Sequence, residues 1–244
     1  MGYNLVIDQG NSTAKVAMFQ GDRLVEHWRM EHLTPDALAR LASSYSIDAA
    51  IYCSVATRGE EIIVSLRSFV KRVYEMTSML PLPIKIGYAT LSTLGRDRIA
   101  AVAGAYAAHP GRNVLVVDAG TAVTYDRLTD DGEFAGGNIA PGLWVRAKAL
   151  HDMTQRLPLV DVENREPASL WGCDTENAIV SGVVYGIVGE TEFYRSRMPE
   201  NSIVMLTGGD ARHLAGIMDF PVEVDPDLVS KGLNSILLYN ENIQ

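Results

Sequence analysis

The sequence predicts an α/β protein built from two similar lobes. Strand-like apolar segments alternate with helix-like segments along the chain, a pattern typical of α/β folds. An apolar run ending in Asp-x-Gly and small polar residues occurs twice, with its aspartates at Asp8 and Asp118. These aspartates lie 110 positions apart in a chain of 244 residues, close to half its length. We therefore expect an N-terminal lobe over residues 1–112 and a C-terminal lobe over residues 113–244.

Each element is predicted from periodicity and from the residues that start or stop it. Apolar runs bounded by glycine turns predict strands at 4–7, 14–19, 24–28, 49–55, 113–117, 123–128, 202–206 and 221–224, with a short one near 84. Apolar spacing of three or four, together with capping residues, predicts helices at 35–44, 60–74, 99–108, 141–150, 175–197 and 227–239. Prolines 81 and 83 end the second helix, and His109-Pro110-Gly111 ends the third.

Composition narrows the class of protein. The net charge of −9 disfavours nucleic acid and anionic membrane surfaces as partners. The longest charge-free stretches, 99–111 and 177–189, are shorter than the roughly 18 residues that a membrane-spanning helix needs. Cys53 and Cys173 are too few and too far apart for a disulfide framework, so we expect a reducing cytoplasm.

The first Asp-x-Gly turn has residue types that suit a phosphate. Gly10 lets the backbone approach a ligand, Asn11 and Ser12 can donate hydrogen bonds, and Lys15 adds a positive charge. Asp8 could hold Mg²⁺ directly or through water, because that ion keeps several waters and needs few carboxylates. The alternative is a hairpin that merely turns the chain.

A second constellation is Gly95-Arg96-Asp97-Arg98, which places a carboxylate between two guanidiniums at a predicted helix start. Such a carboxylate stays ionised and can accept a proton from a hydroxyl. The alternative is a surface cluster of ion pairs. The sequence contains no G-x-x-x-x-G-K-[ST], G-x-G-x-x-G or G-x-S-x-G, so P-loop, dinucleotide-fold and hydrolase motifs give no support.

Five motifs together resemble the type III pantothenate kinases. They are Asp-x-Gly-Asn-Ser at 8–12, Gly-Arg-Asp-Arg at 95–98, Asp-Ala-Gly-Thr-Ala at 118–122, Gly-Gly-Asn-Ile-x-Pro-Gly at 136–142 and Gly-Gly-Asp-Ala at 208–211. That family belongs to the acetate and sugar kinase, heat-shock and actin superfamily. The resemblance implies two RNase H-like (actin-like ATPase) lobes, each a mixed sheet flanked by helices, with an interlobe cleft for ATP.

The resemblance also implies site residues. Asp97 would be the general base, and Asp118 would hold a monovalent cation, K⁺ or NH₄⁺. ATP contacts are expected from Asp8, Gln9, Gly10, Asn11, Ser12, Thr13, Ala14, Lys15 and Thr121. Pantothenate contacts are expected from Tyr88, Gly95, Arg96, Asp97, Arg98 and Thr175. Without the family, Tyr88 fits a packing aromatic and Thr175 a helix cap.

The implied reaction is ATP-dependent phosphorylation of pantothenate to 4'-phosphopantothenate, the first step of coenzyme A biosynthesis, by a homodimer. Ser12 replaces the threonine of many members and keeps the hydroxyl, and Arg96 fills a variable position. One alternative is a superfamily kinase with another acceptor. Another is a non-catalytic nucleotide-binding regulator, since some members are named for effects on transcription; intact Asp8, Asp97 and Asp118 disfavour it.

Overall fold

The structure is a computed structural model that describes residues 2–10, 13–54, 59–167 and 169–243. Its strands are β1 (Tyr3–Gln9), β2 (Ala14–Gln20), β3 (Arg23–Met30), β4 (Ile47–Ser54), β5 (Arg72–Glu75), β6 (Lys85–Ile86), β7 (Val114–Ala119), β8 (Ala122–Leu128), β9 (Glu133–Pro141), β10 (Ile203–Thr207) and β11 (Glu223–Val224). Its α-helices are α1 (Pro35–Ala42), α2 (Gly59–Phe69), α3 (Arg96–Ala108), α4 (Leu143–Asp152), α5 (Thr175–Arg195), α6 (Ala211–Ala215) and α7 (Leu228–Asn242). None of these described helices is long and apolar enough to cross a bilayer.

The first compact unit comprises Met1–Pro110, Gly132–Phe134 and Asp227–Gln244. Its sheet has the order β3-β2-β1-β4-β5, in which β1 is antiparallel to β2 and parallel to β4. Successive side chains of a strand point to opposite faces. Leu5 and Ile7 enter the core formed with α1 and α2. Asn4 points the other way, and its side chain donates to Asn234 Oδ1 of α7 at 3.2 Å. Asp8 lies on the same face as Asn4.

Helices α3 and α7 pack closely within this unit because small residues line their contact. A Cβ atom added to Gly232 would lie 1.7 Å from the carbonyl oxygen of Ala100, so only glycine fits there. This packing assigns the C-terminal helix to the first unit. The contact-defined units therefore depart from the predicted lobes, 1–112 and 113–244, chiefly at α7.

The second compact unit comprises Gly111–Asp131 and Ala135–Pro226. Its strands have the order β11-β10-β7-β8-β9, with β7 antiparallel to β8 and parallel to β10. The strand order matches that of the first unit, and the central strand has the same directions relative to its two neighbours, so the predicted duplication is confirmed at the level of topology. Leu115, Val117 and Ala119 enter the core formed with α4 and α5. Asp118 therefore lies on the opposite face of the sheet.

The predicted helix over residues 60–74 is wrong at its C-terminal end. Helix α2 ends at Phe69, and β5 then pairs in parallel with β4. Val70 and Val73 fit helical spacing, but both also bury against the α1 and α2 core from a turn and an edge strand. Their apolar pattern is compatible with either structure, and pairing with β4 decides between them.

Candidate active site

The end of β1 places Asp8 beside other ionisable groups. In the strand register Asp8 lies opposite Lys15 of β2 and Cys53 of β4. Burial raises the pKa of Asp8 from 3.8 to about 6; the positive charge of Lys15 lowers it, and the negative charge of Asp97 raises it. The carboxyl group therefore keeps its proton to a higher pH than an exposed aspartate does. A bound cation would favour the ionised form.

The turn after Asp8 is held by its backbone and by one side chain. The Gly10 N–H donates to the Thr13 carbonyl oxygen at 3.0 Å. The Tyr52 hydroxyl donates to Gln9 Oε1 at 2.5 Å, so the amide oxygen of Gln9 is already engaged within the unit. Asn11 and Ser12, two of the predicted phosphate donors, lie outside the described residues.

Asp97 lies in the first turn of α3, directly after Gly95 and Arg96. Its Oδ1 accepts the Arg98 N–H at 2.9 Å. The helix dipole favours a negative charge at this end. The negative charge of Asp97 contributes to the raised pKa values of Asp8 and Cys53, so its carboxylate is in electrostatic range of both groups. The structure therefore brings together the two constellations that the sequence predicted separately.

The two arginines of this segment have different environments. Arg98 is buried, and its guanidinium carbon lies 5.7 Å from the ring centres of both Tyr88 and Phe134. A guanidinium at this distance from aromatic faces is attracted to them. Arg96 Nη1 instead donates to the Ser54 carbonyl oxygen at 3.5 Å. The alternative of a surface ion-pair cluster is therefore wrong for Arg98, and Tyr88 packs directly against that predicted substrate residue.

The second Asp-x-Gly turn has uncharged hydroxyls where the first has Lys15 and Cys53. Asp118, which is partly exposed, lies opposite Thr124 of β8 and Thr207 of β10. The Oγ1 atoms of both threonines are buried, and neither has a hydrogen-bond partner among the residues that the structure describes. Two unsatisfied buried hydroxyls thus flank one carboxylate.

Close backbone packing surrounds the same turn. Gly208 has a φ of +93°, and a Cβ atom there would lie 2.5 Å from Asp118 Oδ1 and 2.2 Å from the Ala119 carbonyl oxygen. Glycine therefore lets this loop approach the carboxylate. Thr121, the predicted ATP contact, is exposed on the turn, and its carbonyl oxygen accepts the Gly142 N–H at 3.0 Å.

Thr175 begins α5, but it does not cap that helix. The cap is Asp174, whose carboxylate accepts the Asn177 N–H at 2.8 Å. The interpretation of Thr175 as a helix cap is therefore wrong. Its side chain lines a groove of about 780 Å³ between α4 and α5, together with Arg146, Leu150, Met153, Ile179 and Gly182.

Metal binding by protein side chains alone has limited support. Within the described parts of the chain, no group of three or more His, Cys, Asp or Glu side chains could hold a metal ion. A cation at Asp8 or Asp118 would therefore need other oxygen ligands. Water and phosphate oxygens could complete the shell at Asp8, as is usual for Mg²⁺. Beside Asp118, the hydroxyl oxygens of Thr124 and Thr207 could serve as ligands.

Four residues of these two sites were not predicted from the sequence: Phe134, Cys53, Thr124 and Thr207. The hairpin after Asp118 gives a signal for Thr124, because an antiparallel strand returns at a nearly fixed register. Thr207 and Cys53 come from strands that pair in parallel after long intervening segments, and Phe134 is distant in sequence from Arg98. Nothing local in the sequence marks those three.

Comparison with known proteins identifies the chain's relatives. The type III pantothenate kinase family model matches residues 4–197. The type III pantothenate kinase of Porphyromonas gingivalis is 42% identical over 244 residues, covering 98% of this chain and 100% of the relative. That of Bacteroides fragilis is 42% identical over 240 residues, covering 97% and 98%.

Solved structures agree with the fold. A Baf family transcriptional activator from Campylobacter jejuni has a TM-score of 0.64 at 22% identity, covering 98% of this chain and 99% of its own. The ROK hexokinase of Thermus thermophilus has a TM-score of 0.51 at 12% identity, covering 96% and 98%. At these identities the likeness concerns the fold alone, and it confirms the expected α/β class with two mixed sheets flanked by helices. On the strength of its sequence relatives, the chain belongs to the type III pantothenate kinase family.

Proposed function

We propose that this chain transfers the γ-phosphoryl group of ATP to the terminal hydroxyl of pantothenate, with Asp97 as the general base. The observation that carries the proposal is the position of Asp97, which lies in the first turn of α3 and close enough to Asp8 to raise its pKa. Phosphoryl transfer needs a carboxylate for the acceptor proton beside the groups that hold the phosphates. Family membership supplies ATP as donor and pantothenate as acceptor.

In the proposed step Asp97 accepts the hydroxyl proton while the hydroxyl oxygen bonds to the γ-phosphorus. The bond between that phosphorus and the bridging oxygen breaks, and ADP leaves. Two contacts hold Asp97 in place: its Oδ1 accepts the Arg98 N–H, and the Arg98 guanidinium packs against the neighbouring rings of Tyr88 and Phe134. A base that is held in position is effective because its carboxylate oxygen is already aligned to accept the proton.

Residues 8–15 form the proposed phosphate loop. The positive charge of Lys15 and the N–H groups of the turn suit phosphate oxygens. Asp8 fits Mg²⁺, because its buried carboxyl has a pKa raised to about 6 that a nearby cation would bring down again. When bound, Mg²⁺ would neutralise charge on the phosphates.

The proposed pantothenate contacts are Gly95, Arg96, Arg98, Tyr88 and Thr175. Pantothenate carries a carboxylate, which a guanidinium attracts and hydrogen-bonds. Arg98 is the candidate we favour because its guanidinium is buried against the rings of Tyr88 and Phe134. In the second unit, we assign Asp118 to a K⁺ or NH₄⁺ ion and Thr121 to a contact with ATP.

We further propose a homodimer that uses the groove between α4 and α5. Apolar side chains that line the groove are exposed, among them Met153 at 84% and Leu150 at 37%. Exposed apolar patches of this kind mark interaction surfaces. Gly182 lines the groove, and a Cβ atom there would meet no described atom within 4 Å. Gly182→Glu should therefore leave the subunit folded but shift its mass in light scattering from dimer to monomer; an unchanged dimer would contradict this surface.

The compartment we propose is the reducing cytoplasm. The thiols of Cys53 and Cys173 are both free, with the first buried and the second exposed. An exposed free thiol is best preserved where glutathione keeps cysteines reduced. Fractionation of cells that express the chain, with immunodetection of each fraction, tests this assignment.

The substitution Asp97→Asn tests the proposed base. We expect turnover to fall about 10²- to 10⁴-fold, the usual contribution of a general base, while ADP binding and the thermal midpoint stay near the parent's. Asp36→Asn is the matched control, since Asp36 also lies in the first turn of a helix, α1. The control should keep full activity.

The readout is ADP release with and without pantothenate. Pantothenate-dependent release by the parent that is lost in Asp97→Asn and kept in Asp36→Asn supports the proposal. Normal turnover by Asp97→Asn would remove Asp97 from the role of base. Release by the parent that does not depend on pantothenate would point to a different acceptor.

A further inference from the structure

We propose that Thr124 and Thr207 are ligands of the monovalent cation, each giving a hydroxyl oxygen on either side of the Asp118 carboxylate. The proposal rests on the assignment of that cation to Asp118 and names the side chains that complete its site. It concerns residues outside the Asp-Ala-Gly-Thr-Ala motif, on strands β8 and β10.

The strand register brings the three side chains together. Asp118 is the Cα partner of Thr124 in the antiparallel β7–β8 pair and of Thr207 in the parallel β7–β10 pair. Residues in register point to the same face, and in an antiparallel pair their Cβ atoms lie about 4.5–5.5 Å apart. The neighbouring positions Val117, Val123 and Leu206 all enter the α4 and α5 core, so the three polar side chains share the other face.

Both hydroxyls lack the partner that buried hydroxyls usually have. Thr207 has no exposed surface, and its Oγ1, like that of Thr124, has no hydrogen-bond partner among the described atoms. Leaving a buried polar group unsatisfied is costly and uncommon in native proteins. Thr191 shows the ordinary arrangement in the same unit, because its buried Oγ1 donates to the Ile187 carbonyl oxygen at 2.8 Å. A cation that takes a lone pair from each orphaned oxygen would satisfy both threonines.

The chemistry of this donor set suits K⁺ or NH₄⁺. Hard cations prefer oxygen ligands, and ammonium can donate hydrogen bonds to the same oxygens. The two added ligands are neutral, so they add no further negative charge to the carboxylate. Asp118 is partly exposed, which leaves a route for the ion, and the backbone of Gly208 closes one side against Asp118 Oδ1.

The test uses isosteric substitutions and measures thermal stability. The variants are Thr207→Val and Thr124→Val, with Thr207→Ser and Thr124→Ser to restore the hydroxyl, and Thr191→Val as the matched control. Each is melted in a potassium series against choline chloride of equal ionic strength, with and without saturating ADP and Mg²⁺. We expect each valine variant to weaken the apparent affinity for K⁺ about tenfold or more, as lost metal-site partners generally do. The serine variants and Thr191→Val should keep the parent's potassium response.

The potassium-free arm separates a ligand from a structural hydroxyl. Without the ion, Thr207→Val removes an unsatisfied buried hydroxyl and should melt at or above the parent's temperature. A hydroxyl needed only for folding would give a lower melting temperature in both salts, and that result would overturn the proposal.

The Asp118 assignment is checked in the same series. One outcome has three parts: potassium stabilises the parent, it does not stabilise Asp118→Asn, and it still stabilises both valine variants. In that case the cation site at Asp118 is supported, but the threonines are not its ligands. If potassium stabilises neither the parent nor Asp118→Asn, the proposed cation site fails together with this inference.

Discussion

The two Asp-x-Gly turns have the same backbone plan but differ in the side chains around their aspartates. In each unit the aspartate ends the central strand, which is antiparallel to the next strand and parallel to a later one. Asp8 lies opposite Lys15 and Cys53, whereas Asp118 lies opposite Thr124 and Thr207. The same register thus presents one charged amine and one thiol to the aspartate in the first unit and two hydroxyls in the second.

This difference shows how a duplicated fold acquires two tasks. Topology fixes where a carboxylate stands, and the cross-strand neighbours decide which ligand it suits. The charges of Lys15 and Asp97 near Asp8 suit a site that binds phosphate groups and a divalent ion. At Asp118, the unsatisfied hydroxyl oxygens of Thr124 and Thr207 suit a monovalent cation.

Gly208→Ala should do the most damage, because it disturbs the Asp118 turn directly. The first unit has Ser54 at the corresponding register, but at Gly208 a φ of +93° and a Cβ position 2.2 Å from the Ala119 carbonyl oxygen leave no room. We expect the free energy of unfolding, measured in urea, to fall by about 3 kcal/mol or more, because strain and overlap add.

Gly136→Ala is the matched control for that change. Gly136 lies in the same unit with a φ of +108°, and a Cβ atom there meets no described atom within 4 Å. Backbone strain alone should cost about 1–2 kcal/mol. If both variants lost the same free energy of unfolding, the atoms around Asp118 would be able to move aside for the added methyl group. That result would contradict the tight packing at this turn.

Asp8→Asn should stabilise the fold at neutral pH while removing activity. Burial raises the folded-state pKa of Asp8 from 3.8 to about 6, so the native protein binds this proton more tightly than the unfolded chain does. Ionisation of Asp8 therefore does not lower the free energy of unfolding below about pH 3.8. It lowers this free energy progressively as the pH rises to about 6, and the loss is complete above that pH. A shift of this size corresponds to a gain of about 2–3 kcal/mol for the asparagine variant at pH 7.5.

The measurement for Asp8 is urea unfolding of parent and variant at pH 4.5 and at pH 7.5. The gain should shrink at the lower pH. Asp22→Asn, at an exposed turn between β2 and β3, serves as control and should change stability by no more than about 0.5 kcal/mol. If Asp8→Asn were less stable than the parent at pH 7.5, the ionised Asp8 carboxylate would not be destabilised by burial, contrary to its raised pKa.

The smallest expected effect is a difference in thiol reactivity. Burial, and then the negative charges of Asp8 and Asp97, raise the pKa of the Cys53 thiol, whereas Cys173 is exposed. Because the thiolate is the reactive form, iodoacetamide should modify Cys53 about tenfold or more slowly than Cys173 in the native protein. Cys173→Ser leaves only the slow thiol for measurement by mass spectrometry. If Cys53 reacted as fast as Cys173, its thiol would be neither buried nor affected by the negative charges of Asp8 and Asp97.

The sequence predicts the duplicated architecture because its signals are local. Apolar runs and Asp-x-Gly turns mark β1 and β7, and small residues mark α3. The helix end that was wrong depended on pairing over a long distance, because β5 was predicted as the end of α2 and instead pairs with β4. The packing of α7 with the first unit is likewise a long-range contact that no local signal marks.

The same limit applies to the sites. Asp8, Asp97 and Asp118 each stand in a recognisable motif. Thr207 reaches Asp118 only through parallel pairing of β10 with β7, and Phe134 reaches Arg98 only through the fold. Residues of this kind carry no motif of their own, so their roles emerge from register and burial.

The division of labour between the two aspartates is tested most directly by measuring thermal stabilisation of Asp8→Asn and Asp118→Asn by two ligands. The ligands are potassium without nucleotide, against choline, and ADP with Mg²⁺. We predict that Asp8→Asn keeps the potassium response and loses most of the response to magnesium ADP, whereas Asp118→Asn does the reverse. Loss of the same response in both variants, or a potassium response that survives in Asp118→Asn, would contradict the account.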